Sequence, residues 1–262
     1  MGMEIRPSAL CVPPDAGKRM AASPLKSSGP ELSMEGLPLK MIRSYLSHHK
    51  YLFLLLLLIP ILIWFQCLEL VIRPKYIMHT AFDDKIPFVK EFVVFYVLWF
   101  LYIPFGVLFT AATSKKDFLK LFVFLFGGMT VANVAYMIFP NAQNLRPVLT
   151  GTDPLSSLVR LIYSKDTPTN VCPSMHVINT IAVDAALRHS EKFSEKKYRC
   201  AASFTFAVMV CLSTLFIKQH SILDVVCGTV VAACFYVPLY ILQPRREPES
   251  GKLRILRRES KY

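Results

Sequence analysis

Two short stretches carry residues whose types and spacing suit chemistry on an anion. The first, Lys218-Gln219-His220-Ser221-Ile222-Leu223-Asp224, joins two apolar segments and places a cation, an imidazole and a carboxylate within seven positions. His220 and Asp224 are spaced i, i+4, which on a helix puts them on one face about a turn apart. Asp224 can then accept the Nδ1 proton of the imidazole and leave Nε2 as a nucleophile or base. Lys218, just outside the helix start, can hold an anion against that nitrogen. The second stretch is Cys172-Pro173-Ser174-Met175-His176. Proline suits the first turn of a helix, where unpaired backbone N–H groups bind anions. Ser174 adds a hydroxyl donor, and His176 can protonate a leaving oxygen. Each stretch taken alone also reads as a capped helix end with polar residues at a membrane surface.

The elements that must position these residues are apolar. The chain has 262 residues, 53% of them hydrophobic, and its mean hydropathy of +0.42 is too high for an ordinary soluble domain. Runs long enough to cross a bilayer, about 20 residues each, are expected at 51–72, 92–113 and 118–139. A shorter one follows at 173–187, and two more at 200–217 and 221–242. The expected fold is all-α, an integral membrane bundle of six transmembrane helices over residues 41–242. Residues 1–40, rich in Pro, Ser, Gly and Met without an apolar period, read as a disordered leader. Residues 243–262 form a basic tail. Between the third and fourth spans, residues 140–171 are mostly polar; a loop of that length is usually functional, and an amphipathic helix is expected near 155–163.

Charge sets the expected orientation. Six spans put both termini on one side, and that side holds 22 of the 30 lysines and arginines, against eight opposite. The positive-inside rule then places both termini in the cytoplasm. Arg146, His176, Lys218 and His220 all fall at the extracytoplasmic side, near span ends, so residues spread over some eighty positions share one membrane face. The net charge of +12 is accounted for by cytoplasmic loops; no basic helix with interleaved base-reading residues occurs, and nucleic acid is set aside. The seven cysteines show no CxxC spacing, which argues against a zinc ribbon or a disulfide framework and leaves most of them as small core residues.

In order along the chain, Arg146-Pro147, then Pro173-Ser174-x-His176, then Lys218-x-His220-x-x-x-Asp224, each at the outer end of a span, resemble the type 2 phosphatidic acid phosphatase (PAP2) superfamily. These are membrane lipid phosphatases and phosphotransferases with a six-helix core. The resemblance covers residues 51–242. It implies metal-independent phosphoryl transfer through a phosphohistidine, with His220 as nucleophile, Asp224 as its orienting partner, His176 as general acid, and Ser174 and Arg146 as phosphate ligands. The chain departs from the family pattern at three places. The lysine usually found seven residues before the Arg-Pro arginine is Phe139, the usual Ser-Arg pair before the nucleophile is Ser213-Thr214, and Met175 replaces a glycine. Lys218 is placed to supply one of the two missing cations. No magnesium-type carboxylate cluster stands on the outer side, and neither metal nor cofactor is expected. The substrate is then a phospholipid or polyprenyl phosphate at the outer surface of a bacterial plasma membrane. Two alternatives stand beside hydrolysis: transfer of the phosphoryl group to an alcohol, as in relatives of inositol-phosphoceramide and sphingomyelin synthase type, and a non-enzymatic membrane transporter.

Overall fold

The computed structural model describes residues 50–243. The expected leader, and all of the expected basic tail except Gln243, lie outside the described residues. The chain is mostly helical. A 3-10 turn at Lys50–Leu57 runs into α1 (Leu58–Val71), and α2 (Val93–Thr113) and α3 (Lys115–Ile138) form a hairpin. Ser114 closes that hairpin by accepting from the Asp117 N–H at 3.2 Å, so the basic turn also caps a helix. The amphipathic helix expected in the long loop is α4 (Pro154–Lys165), capped by Asp153 with Pro154 in its first turn. Then come α5 (Met175–His189), the short α6 (Glu191–Ser194), α7 (Lys197–Phe216) and α8 (Ile222–Tyr236), the last continuing as a π-turn to Ile241. Among the described residues the only strands are a parallel two-residue pair, β1 (Tyr76–Ile77) and β2 (Asn141–Ala142). These tie the loop after α1 to the loop after α3.

Among the described residues, five helices are long and apolar enough to cross a membrane. The expected fourth span differs: α5 has 15 residues, about 22 Å at 1.5 Å per residue, against a hydrocarbon layer of about 30 Å. Its surroundings explain the shortness. It packs against α2, α3, α7 and α8, and residues 177–187 are buried almost without interruption. Glycines let its neighbours close in: a Cβ at Gly106 would lie 2.4 Å from Val183 Cγ1, and one at Gly128 2.5 Å from Ile178 Cγ2. The outer helices instead turn apolar side chains outward, with Leu70 79% and Ile138 78% exposed. That inverted pattern suits a lipid solvent. It also corrects the expectation for the cysteines: of the six described, Cys172 is buried while Cys67 and Cys234 face outward. On a lipid-facing helix a small apolar residue has no reason to be buried.

Candidate active site

The helix carrying the nucleophile candidate begins with a tight turn. After α7 ends, Lys218 adopts φ 55°, and the N–H groups of Gln219 and His220 both return to the Thr214 carbonyl at 2.9 and 3.0 Å. Ser221 is the N-cap of α8 and Asp224 its third residue. The Ser221 hydroxyl accepts from Leu223 N–H at 3.2 Å, while Asp224 Oδ2 accepts from Ser221 N–H at 2.8 Å. This reciprocal cap decides the His220–Asp224 geometry. His220 lies outside the helix, so the two residues do not share a helix face; the cap itself turns Asp224 Oδ2 back to 3.3 Å from His220 Nδ1. Both residues are buried, Asp224 completely. A carboxylate only accepts, so in the neutral imidazole this contact favours the tautomer with its proton on Nδ1 and the lone pair on Nε2.

His176 is the second residue of α5, behind the N-cap Ser174. Its ring rests on Tyr96 and Trp99 of α2, with centroid distances of 4.7 and 4.5 Å. Its Nδ1 is 3.3 Å from His220 Nε2. The two helix starts are clasped: Ser174 N–H donates to the Asp224 carbonyl at 3.1 Å, and a Cβ at Gly228 would stand 2.9 Å from the Ser174 carbonyl oxygen. Behind the clasp, Asn141 Oδ1 accepts from the N–H groups of Val171 and Cys172, both at 2.8 Å, and the Tyr136 hydroxyl donates to the Pro173 carbonyl at 2.7 Å. The loop leading into α5 therefore has its backbone groups satisfied by β2 and α3.

His176, His220, Gln219, Asp166, Asn170 and Met175 line a cavity of about 20 Å³, room for about one water molecule. A phosphoryl group is larger, so its entry moves side chains. The arrangement nonetheless has the parts for phosphoryl transfer: an imidazole lone pair, a second imidazole beside it, and a helix start. In α5 the Ser174 hydroxyl accepts from Val177 N–H at 3.4 Å and the Ser174 carbonyl from Ile178 N–H at 3.1 Å. That leaves the first-turn amides of Met175 and His176 for a ligand.

The remaining sequence candidates are placed less directly. Ser174 is fully buried, and its hydroxyl oxygen serves the helix cap. Arg146 stacks over Tyr163, its guanidinium 4.5 Å from the ring centroid. It donates to the carbonyls of Tyr163 at 3.1 Å and Asp166 at 2.6 Å, and to Gln219 Oε1. Gln219 Nε2 in turn donates to the Asp166 carboxylate at 3.0 Å. Arg146 thus stands one side chain back from the cavity. Lys218 differs more from expectation: its Nζ donates to the carbonyl oxygens of Asp83 and Ile86 at 2.8 and 2.6 Å. Two neighbouring carbonyls satisfy a buried ammonium, and burial lowers its pKa.

Sequence reasoning passed over Asp83, Asn141, Asp166 and Asn170. Asp83 accepts from Ser221 Oγ and from the Ile222 N–H, both at 2.8 Å. At the start of α8 the Ile222 amide is therefore taken by Asp83 and the Ser221 amide by Asp224. The pair Asp83-Asp84 in an otherwise basic loop was the signal available. Asn170 has φ 53° and neither carboxamide atom has a partner among the described residues. Nothing in its type or spacing distinguished it from a loop asparagine.

No curated protein and no solved structure matches the chain. The family model described as PAP2 superfamily matches residues 91–248, a segment that contains Arg146, Ser174, His176, Lys218, His220 and Asp224. With those motifs in the family's order and two of them clasped at adjoining helix starts, the chain belongs to the PAP2 superfamily.

Proposed function

We propose that the protein is a membrane lipid phosphatase that hydrolyses a phosphate or diphosphate ester through a phosphohistidine on His220, without a metal. Family membership points to phosphatase-type activity. The observation that carries the mechanism is the contact of His176 Nδ1 with His220 Nε2 at 3.3 Å, with Asp224 on the far nitrogen of His220.

In the first step the Nε2 lone pair attacks phosphorus in line with the ester oxygen. The P–N bond forms, the P–O bond breaks, and His176, as the imidazolium, passes its proton to the departing alkoxide. Asp224 holds the Nδ1 proton and stabilises the positive charge that develops on the His220 ring. In the second step neutral His176 takes a proton from water. The hydroxide attacks phosphorus, the P–N bond breaks and phosphate leaves. The α5 amides and Arg146 face the anionic oxygens. For Arg146 this requires exchanging Gln219 Oε1 for a phosphoryl oxygen, and the movement that frees the arginine also widens the cavity.

The substrate in this reading is a phospholipid or polyprenyl phosphate. The site lies at the extracytoplasmic surface of a bacterial plasma membrane, with both termini in the cytoplasm. The charge bias along the sequence supports that orientation. α5 is then a sixth crossing, shielded from lipid by its neighbours and reached at its ends by polar loops. The test is phosphate release by purified protein from phosphatidate, phosphatidylglycerol phosphate and a polyprenyl diphosphate, with chelator present. Release that His220→Ala and His176→Ala abolish is the expected result. Label appearing on an added alcohol or inositol would assign a phosphotransferase instead. Full function in His220→Ala would leave a non-enzymatic protein, and activity lost to chelator and restored by magnesium alone would end the metal-free mechanism.

A further inference from the structure

The loop between α1 and α2 lies ahead of the segment that the family model matches, which starts at residue 91. Yet it holds the turn that carries His220 from both sides. On one side Lys218 Nζ binds the carbonyls of Asp83 and Ile86 at 2.8 and 2.6 Å. On the other, Ser221 Oγ and Ile222 N–H bind the Asp83 carboxylate, each at 2.8 Å. Asp83 is itself pinned by Thr80, whose N–H and hydroxyl donate to it at 2.7 and 2.8 Å. Only Gln219 and His220 lie between the two anchored ends. Asp83 is 1% exposed and has four hydrogen-bond donors, so it has little freedom to shift.

We infer that Asp83 is a positioning residue for phosphoryl transfer, acting on His220 through Ser221 and Asp224. The connection is short. Ser221 N–H donates to Asp224 Oδ2, the oxygen that faces His220 Nδ1, and the Ser221 hydroxyl is held by Asp83. Losing Asp83 releases the N-cap serine, and Asp224 then drifts off the imidazole. The carboxylate has an electrostatic consequence as well. With Asp83 and Asp224 both at the start of α8, the positive end of that helix is neutralised. The phosphate is directed to the start of α5, where His176 Nδ1 stands 3.3 Å from His220 Nε2.

This inference rests on His220 being the nucleophile, and the experiment separates the two. The full chain in detergent micelles is assayed for phosphate release from short-chain phosphatidate as wild type, Asp83→Ala, Asp83→Asn, Ser221→Ala, Asp83→Ala/Ser221→Ala and His220→Ala. Misplacement of a reacting group by about an ångström costs on the order of 100-fold. Asp83→Ala is expected to lower kcat about 10- to 100-fold with KM within about twofold. Orthovanadate, a mimic of the five-coordinate transition state, weakens by the same factor as kcat/KM. Asp83→Asn, which keeps an acceptor for Ile222 N–H, falls between, and Ser221→Ala adds little on the Asp83→Ala background. Should Asp83→Ala fail to fold, Asp83→Asn decides by the same readings. Unchanged kcat, or a change in KM alone, with His220→Ala inactive overturns the role of Asp83 and leaves the phosphatase reading standing. Full release by His220→Ala, or no release by the wild type from short-chain phosphatidate, phosphatidylglycerol phosphate or a polyprenyl diphosphate, overturns both.

Discussion

At the far end of α5 from His176, Asp184 is buried between two partners. Its Oδ2 accepts from Arg188 Nε at 2.7 Å and its Oδ1 from Ser203 Oγ at 2.8 Å. The Tyr102 hydroxyl completes the chain at 2.8 Å from Ser203. At the other end, around His176 and His220, partners run short: Arg146 Nε, Trp99 Nε1 and both carboxamide atoms of Asn170 are buried without one among the described residues. One 15-residue helix therefore carries a closed polar cluster and an open one. A closed cluster locks neighbouring helices together, and replacing one member leaves the others unsatisfied. An open cluster costs stability unless a ligand completes it. The Asp184 end is built to hold helices together, and the His176 end is where the proposed mechanism puts the chemistry.

Substitutions that separate these roles test the contrast, beginning with the largest effect. His220→Ala should lower phosphate release by at least about 1,000-fold while the melting temperature in detergent stays near that of the wild type. Gly228→Ala, which puts a Cβ 2.9 Å from the Ser174 carbonyl, should destabilise by about 1–3 kcal/mol and also lower activity, since it parts the two helix starts. Asp184→Ala should do the reverse of His220→Ala. Stability should fall by about 1–3 kcal/mol, read as a lower melting temperature, with kcat per folded molecule unchanged.

A pH effect distinguishes the struts at the open end. Burial raises the Asp83 carboxyl, but the Ile222 N–H, the Ser221 hydroxyl and the Thr80 donors outweigh it and hold the pKa below the ordinary 3.8. A depressed folded pKa adds stability above the unfolded value, and that stability is lost as pH falls through the folded one. Thermal unfolding of the wild type should therefore steepen in its acid dependence below about pH 4, and Asp83→Asn should flatten it. The smallest effect belongs to the surface pair of Lys90 and Asp153, 2.8 Å apart with both side chains about a third exposed. Lys90→Ala should change neither melting nor activity measurably, because an exposed ion pair adds little.

The helices were legible in the sequence because their signal is local. Apolar runs mark the spans, and Ser114, Asp153, Ser174 and Ser221 each cap the helix that follows. The three motifs were legible for the same reason. Lys218 was not. Its side chain had two destinations within reach, an incoming phosphate or loop carbonyls some 130 residues earlier, and only the packed loop decided between them. The same holds for α5: composition marks it as short and apolar, but the glycine contacts of α2 and α3 make it the centre of the bundle.

Residue types, spacing and hydropathy by themselves determined the helical class and the motif order, and singled out His176, His220 and Asp224 as candidates for the chemistry. Tertiary structure alone decided that His220 meets Asp224 through a helix cap rather than along a helix face. It also decided that Asp83 takes the Ile222 amide at the start of α8 and that Arg146 stands behind Gln219. The physical reason is range: caps and apolar periods are settled within a few residues. The partner of a buried charge is settled by whichever distant group can satisfy it when water is gone.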